Sequence, residues 1–254
     1  MPFINTVDLI GDEALTNNII DRSITEIADD TIKTIGKRAF SYCDKLTTVD
    51  FPAVTSIGES AFEYCENLEN VDFPATTSID YNAFYYCRKL TTADFPAVTS
   101  INSRAFQHCS DLITAHFPAA TIINGSAFYS CRNLTTADFP AATAIISYAF
   151  YGCQNLEKID FPTVTSIGDS AFYDCSKLTT LILRSDTVCT LEGTRVFEYT
   201  VNSITGPRPP TPIASGTGYI YVPAALVDSY RIATNWSTYA AQIRAIEDYP
   251  GICG

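Results

Sequence analysis

Hydrophobic and polar positions recur along this chain at a step too long for one strand and too regular for chance. Ala39-Phe40 is followed by Ala-Phe pairs ending at Phe62, Phe84, Phe106, Phe128, Phe150 and Phe172, each 22 residues after the last. Cysteine keeps the same step at Cys43, Cys65, Cys87, Cys109, Cys131, Cys153 and Cys175. A complete unit reads LTTVDFPAVTSIGESAFEYC from Leu46 to Cys65. Alternation over about Thr47 to Phe51 places Val49 and Phe51 on one face and Thr48 and Asp50 on the other, as in a half-buried strand. Pro52 and its equivalents Pro74, Pro96, Pro118, Pro140 and Pro162 end each strand, because proline donates no hydrogen bond to a ladder. The segment Thr55 to Ile57 then re-enters the core, and S-A-F-x-x-C predicts a helical turn carrying Phe62 and Cys65 inward at spacing i, i+3.

One unit cannot bury Val49, Phe51, Ile57, Phe62 and Cys65 by itself. Units must stack side by side and share a core, with their strands in a parallel sheet. The expected fold class is α/β: a right-handed solenoid with a parallel β-sheet face, short helical turns opposite, and capping elements at both ends.

Three regions follow. Residues 1–23 predict an N-terminal helical cap, since Leu15, Ile19 and Ile20 fall at helical spacing and Asp29-Asp30 replace the Phe-Pro pair of the first rung. Residues 24–200 form the array, whose last strand holds Leu178, Leu181 and Leu183. There Phe197 arrives 25 rather than 22 residues after Phe172. Residues 201–254 predict a loop and helical cap: Gly206 to Gly218 is rich in Pro, Gly, Ser and Thr, and Tyr219 to Val222 reads as a strand. Pro223 then suits a first helical position, with Leu226, Tyr230, Trp236, Tyr239 and Ile243 supplying apolar positions.

The period and the core Leu46, Val49 and Phe51 fall within the leucine-rich-repeat range. The recurrent I-G-x-x-A-F-x-x-C phrase, over about Ile24 to Phe197, resembles the BspA-like leucine-rich-repeat family of bacterial and some protozoan surface proteins. That resemblance implies an adhesin or ligand-binding role at the cell surface or after secretion. Similar arrays occur in proteins of phages and prophages of gut bacteria, and YVPAALVDSYRIATNWSTYAAQI resembles the segment that follows such arrays in many gut-bacterial proteins.

Composition narrows the partner. With 46% apolar and 12% aromatic residues the chain can bury a continuous core, and its net charge of -12 would repel a phosphate backbone, so nucleic acid is not an expected partner. The opening MPFINTVDLIGDEAL does not read as a secretory signal peptide, which leaves virion-associated and cytoplasmic locations open beside the cell surface. No stretch approaches the roughly 18 apolar residues of a membrane span, so membrane insertion is not expected either.

The chemistry of the columns is sparse. The seven stacked cysteines read as buried free thiols packing as small hydrophobes, since parallel Cβ vectors do not converge on disulfides and a linear ladder offers no tetrahedron for a metal. Cys189 and Cys253 stand outside that column without an assigned role. The histidines, His108 and His116, lie in no nucleophile motif and read as substitutions within repeat columns, and no phosphate loop appears, so neither catalysis nor a cofactor is expected. Two surfaces remain. An acidic ladder on the sheet face comprises Asp50, Asp72, Asp94, Asp138 and Asp160, with His116 interrupting it. Its repulsion is relieved either by threonine hydroxyls and turn backbone or by a cation or basic ligand. A tyrosine stripe beside the turn comprises Tyr42, Tyr64, Tyr85, Tyr86, Tyr129, Tyr151 and Tyr173, expected to face outward either as a binding surface or as a cover over the gaps between rungs. The expected function is non-enzymatic adhesion or recognition of a host or microbial surface protein or glycan. The alternative is a structural component of a larger assembly such as a phage tail or cell-surface layer, with an enzyme a distant third.

Overall fold

The computed structural model describes residues 9–10, 23–198 and 210–253. Each repeat contributes two short parallel strands, such as Thr48–Asp50 and Ser56–Ile57, with the Phe51-Pro52 corner between them. The longer strands pair in three successive sheets. The first holds Glu26–Ala28, Thr48–Asp50 and Asn70–Asp72, and the second Thr92–Asp94, Thr114–His116 and Thr136–Asp138. The third holds Lys158–Phe161, Thr180–Leu183, Tyr219–Val222 and Ile243–Ala245. The two-residue strands form one continuous nine-stranded sheet from Leu9–Ile10 to Thr190–Leu191. The Thr55 to Ile57 segment, expected only to re-enter the core, thus contributes Ser56–Ile57 to the longest sheet among the described residues.

Every residue stands on its own equivalent: Val49 pairs with Val71, Ile57 with Ile79 and Ala115 with Ala137. That register builds the core as columns. Phe40, Phe62, Phe84 and Phe106 are fully buried, with successive ring centroids 5.1, 5.2 and 5.2 Å apart and planes within 7°. A second column, Phe51, Phe73, Phe95 and Phe117, packs beside the first. Offset aromatic pairs of this kind contribute about 0.5–1.5 kcal/mol each beyond burial.

The A-F-x-x-C segment places Phe62 and Cys65 inward as expected, but through tight turns rather than a helical one. Ser60 and Tyr64 take the left-handed conformation, with φ of 55° and 59°. The amides of Ala61, Glu63 and Cys65 bond within the rung to Gly58, Ser60 and Phe62 carbonyls. Those of Phe62 and Tyr64 turn sideways to the Ala83 and Tyr85 carbonyls of the next rung, at 2.7 and 2.8 Å. A helix would direct all these groups along its own axis and leave adjacent rungs unjoined. Alternating hand costs on the order of 1 kcal/mol or more at each left-handed non-glycine residue, and it extends the lateral ladder around the turn.

The cysteines do more than fill space. The Cys65, Cys87, Cys109, Cys131 and Cys175 thiols donate to the carbonyls of Phe40, Phe62, Phe84, Phe106 and Phe150 at 3.0–3.1 Å. Each such carbonyl also accepts the amide of the cysteine in its own rung, so both lone pairs are used.

At the N-terminus, Leu9–Ile10 pairs with Thr34–Ile35, and Ile24 and Ile27 pack against the core. Leu15, Ile19 and Ile20, the apolar positions of the expected N-terminal helix, lie outside the described residues. At the other end Tyr219–Val222 pairs with Thr180–Leu183, so the third sheet runs on into the terminal segment. Pro223 precedes a 3-10 turn, Ala224–Leu226, and a helix, Val227–Ile232. Tyr230 and Trp236 are fully buried. The Tyr230 hydroxyl accepts the Cys189 amide at 2.9 Å and the Trp236 indole donates to the Cys189 carbonyl at 2.6 Å, which gives Cys189 an anchoring position under the terminal segment.

All eight cysteines from Cys43 to Cys189 are free and buried. Burial pushes the Cys65, Cys87, Cys131 and Cys153 thiols well above their ordinary range, and Cys189 to about 12. Since the thiolate is the reactive form, the native protein at pH 8 should leave these eight unlabelled by an aromatic disulfide reagent, and the guanidinium-unfolded protein should label all of them. Rapid native labelling within the column, mapped by mass spectrometry, would show that the rungs open.

Candidate functional site

The tyrosines form one continuous aromatic stripe. Tyr42, Tyr64 and Tyr86 occupy the second position after the buried phenylalanine, and their rings stack at 4.9 and 5.0 Å. Tyr85 stands edge-on to Tyr64 and Tyr86 at 5.5 and 4.7 Å. His108 then joins Tyr86, at 4.3 Å, to Tyr129, at 5.6 Å. From there the stripe continues in the first position, with Tyr129, Tyr151 and Tyr173 stacked at 4.5 and 4.7 Å and planes within 7°. The stripe therefore crosses from one column to the next at the histidine. His108, read from the sequence as an ordinary substitution, is the bridge.

One expectation about the stripe changes: Tyr173 is only 8% exposed, so it does not face outward as Tyr42 does at 48%. Tyr42, Tyr64, Tyr86 and His108 all have positive φ, between 59° and 64°. That hand tips each ring onto the neighbouring rung. Arg88 lies over Tyr86 with its guanidinium 5.1 Å from the ring centre. Burial, then the neighbouring tyrosines, raise the Tyr64 and Tyr85 phenols above their usual range, so both stay protonated donors at neutral pH. Burial, then the charges of Arg132 and Arg88, lower His108, which leaves it a neutral ring.

The acidic ladder is less continuous than its spacing suggests. Asp50 pairs with Asp72, His116 separates Asp94 from Asp138, and Asp160 stands opposite Ile182. His116 Nδ1 meets the Asp138 carboxylate at 2.7 Å, and Arg184 Nε reaches both Asp160 oxygens at 2.8 and 3.1 Å. Of the threonine hydroxyls expected to relieve the carboxylates, those of Thr47, Thr135 and Thr179 donate instead to the Thr25, Ile113 and Glu157 carbonyls of the preceding rung. Among the described residues no group of three or more His, Cys, Asp or Glu could hold a metal ion.

A third feature escaped the column pattern. A groove of about 510 Å³ runs along the corner just before the Ala-Phe turn, lined by residues that include Tyr81, Arg104, Ser126 and Tyr148. Tyr81 and Tyr148 are 52% and 39% exposed. Tyr148 lies 6.1 Å from Tyr151, so the groove meets the stripe.

The family model for the BspA type leucine rich repeat region matches in six copies, over residues 8–135 and 121–213. This chain belongs to the BspA-type leucine-rich-repeat family. Among solved structures it is similar to a leucine rich cell surface protein from Faecalibacterium prausnitzii A2-165, at 30% identity over 71% of this chain and 44% of that one, with a TM-score of 0.50. A leucine-rich repeat protein from Eubacterium ventriosum is similar at 27% identity over 59% and 43%, with a TM-score of 0.54. The T. pallidum leucine rich repeat protein, 24% identical over 62% and 79% with a TM-score of 0.55, shares the fold. The chain thus spans less than half the length of the Faecalibacterium and Eubacterium proteins. Among curated proteins none matches.

In this BspA-type array the stripe stands on stacked rungs, so its integrity is part of the fold's stability. Tyr129 contacts both His108 and Tyr151, and Tyr129→Ala should lower unfolding free energy by about 1–3 kcal/mol. An unchanged denaturation midpoint would show the stacking to be energetically idle. The lowered His108 value sets a pH signature. Because the folded protein prefers the neutral ring, this contribution is complete above 6.5 and is lost as pH falls from there towards the depressed folded value. Wild type should therefore lose more stability than His108→Asn between pH 7 and 5, and equal losses would contradict the assignment.

Proposed function

We propose that the protein is a non-enzymatic recognition module in which the aromatic stripe from Tyr42 to Tyr151 contacts a host or microbial surface protein or glycan. The observation that carries this reading is the continuity of stacked tyrosine rings at the surface, bridged by neutral His108. Tyrosine offers large contact area and a hydroxyl at low entropic cost, and rings fixed by their neighbours lose little further freedom on binding. Leucine-rich-repeat solenoids are in general binding scaffolds rather than catalysts, and this one fits that use: each 22-residue unit is spent on strands and turns, with no insertion to carry a catalytic loop. The acidic ladder is the weaker candidate, since Asp138 and Asp160 are already engaged by His116 and Arg184.

Fluorescent beads coated with the protein, applied to panels of bacterial and epithelial cells, test the reading. The wild type should bind at least one cell type. The folded triple variant Tyr85→Ala, Tyr129→Ala, Tyr151→Ala should weaken that binding by about 2 kcal/mol or more, roughly 30-fold. Asp72→Asn with Asp94→Asn should leave both binding and stability unchanged or raise stability slightly. Binding lost in the asparagine variant and kept in the tyrosine variant would place recognition on the sheet face instead.

A further inference from the structure

The groove before the Ala-Phe turn has walls and a floor of different chemistry. Its walls are Tyr81 and Tyr148, exposed rings three rungs apart, or about 14 Å at the usual strand spacing. Between them the lining is mostly small or polar, with Asn82, Ser103, Gly125, Ser126 and Ser147, and Ile146 adds an aliphatic side chain. Its volume, about 510 Å³, is that of an ordinary ligand site. Arg104 stands on the same lining and makes no ion pair among the described residues, a cation in a chain of net charge -12.

The backbone narrows what can bind. The floor amides are already spent on the lateral ladder: Asn82 donates to Ser103, Arg104 to Gly125, Ser126 to Ser147 and Tyr148 to Asp169 carbonyls, at 3.1–3.3 Å. A peptide therefore finds no open strand edge to extend. What lines the groove is hydroxyl, amide and guanidinium groups with the Ile146 side chain, and two flat rings. Sugars match that set, with hydroxyls that pair with serine, asparagine and arginine, and C–H faces that lie on tyrosine.

We propose that this groove is an oligosaccharide-binding site, in which Tyr81 and Tyr148 hold sugar faces and Arg104 with the serine floor holds hydroxyl or carboxylate groups. The assignment rests on the reading of the array as a recognition module and adds a ligand class and a place to it. The backbone supplies clean variants. Tyr148 has a φ of 64°, which asparagine tolerates, so Tyr148→Asn removes the ring without new strain. A Cβ at Gly125 would meet only ordinary contacts, Ser147 O at 3.4 Å and Ile146 Cγ2 at 3.7 Å, so the position accepts a side chain and Gly125→Leu adds bulk to the lining.

Calorimetric titration of the full chain with chitohexaose, cellohexaose and the hexamers of polygalacturonate and hyaluronan is the test, with hexaglutamate as the peptide control. At least one hexasaccharide should bind. Tyr81→Ala and Tyr148→Asn should each weaken it at least tenfold, and Gly125→Leu should abolish it, with melting temperatures showing that each variant is folded. Failure of all four sugars, binding that survives Gly125→Leu, or binding of hexaglutamate alone would overturn the proposal. Sugar binding lost only in the Tyr85, Tyr129, Tyr151 triple variant would overturn the groove and leave the recognition module standing. Cell binding lost in the triple variant while sugars still bind in the groove would show the two to be separate sites.

Discussion

Lateral, in-register stacking of identical units constrains every residue in this molecule. Because one rung sits on the next at about 5 Å, each side chain must be compatible with a copy of itself at that distance. Phenylalanine stacks face to face and alanine leaves room for it. Threonine donates its hydroxyl to the carbonyl one rung back, as Thr143 does to Thr121. Cysteine is small enough for the interior and still supplies a donor for the phenylalanine carbonyl behind it. Aspartate satisfies the rule least well. Among the longer strands Asp50 and Asp72 still stand side by side, but His116 interrupts the column and Arg184 neutralises Asp160.

The same rule explains what could be read from the residues. The 22-residue step, the strand at Thr48–Asp50, its proline stop and the inward Phe62 and Cys65 all follow from periodicity and alternation, and the structure places them so. Ser56–Ile57 is only two residues long and has no alternation to reveal it, so the longest sheet was legible only as a return to the core. The helical turn was a reasonable inference from the i, i+3 spacing, but spacing carries no information about hand. The signal available was compositional: Gly152 shares a column with Tyr42 and Tyr64, and Asn82 shares one with Ser60, which are residues tolerant of positive φ. The thiol bonds had their own trace, in a buried column that is cysteine in all seven repeats and never alanine or valine.

The candidate surfaces divide along the same line. The tyrosine stripe was visible as a composition bias, yet its continuity depends on His108, where it changes column, and on rings tilted by left-handed backbone. The groove was invisible to a column reading because its walls fall in different columns: Tyr81 stands three residues before its phenylalanine and Tyr148 two. Both surfaces gain from the scaffold in one way. Their side chains are mounted on backbone bonded to the rungs on either side, so recognition elements that look like loops are held as rigidly as strands, and preorganisation of this kind reduces the entropy lost on binding.

Hydrogen exchange measured residue by residue tests that rigidity most directly. If the lateral ladder governs the turns, the amides of Phe62, Tyr64, Phe84, Tyr86 and His108, which donate to the next rung at 2.7–2.9 Å, should be protected as strongly as those of the Ser56–Ile57 and Ser100–Ile101 strands. Exchange of these amides at rates typical of surface loops, with the strands still protected, would contradict the account.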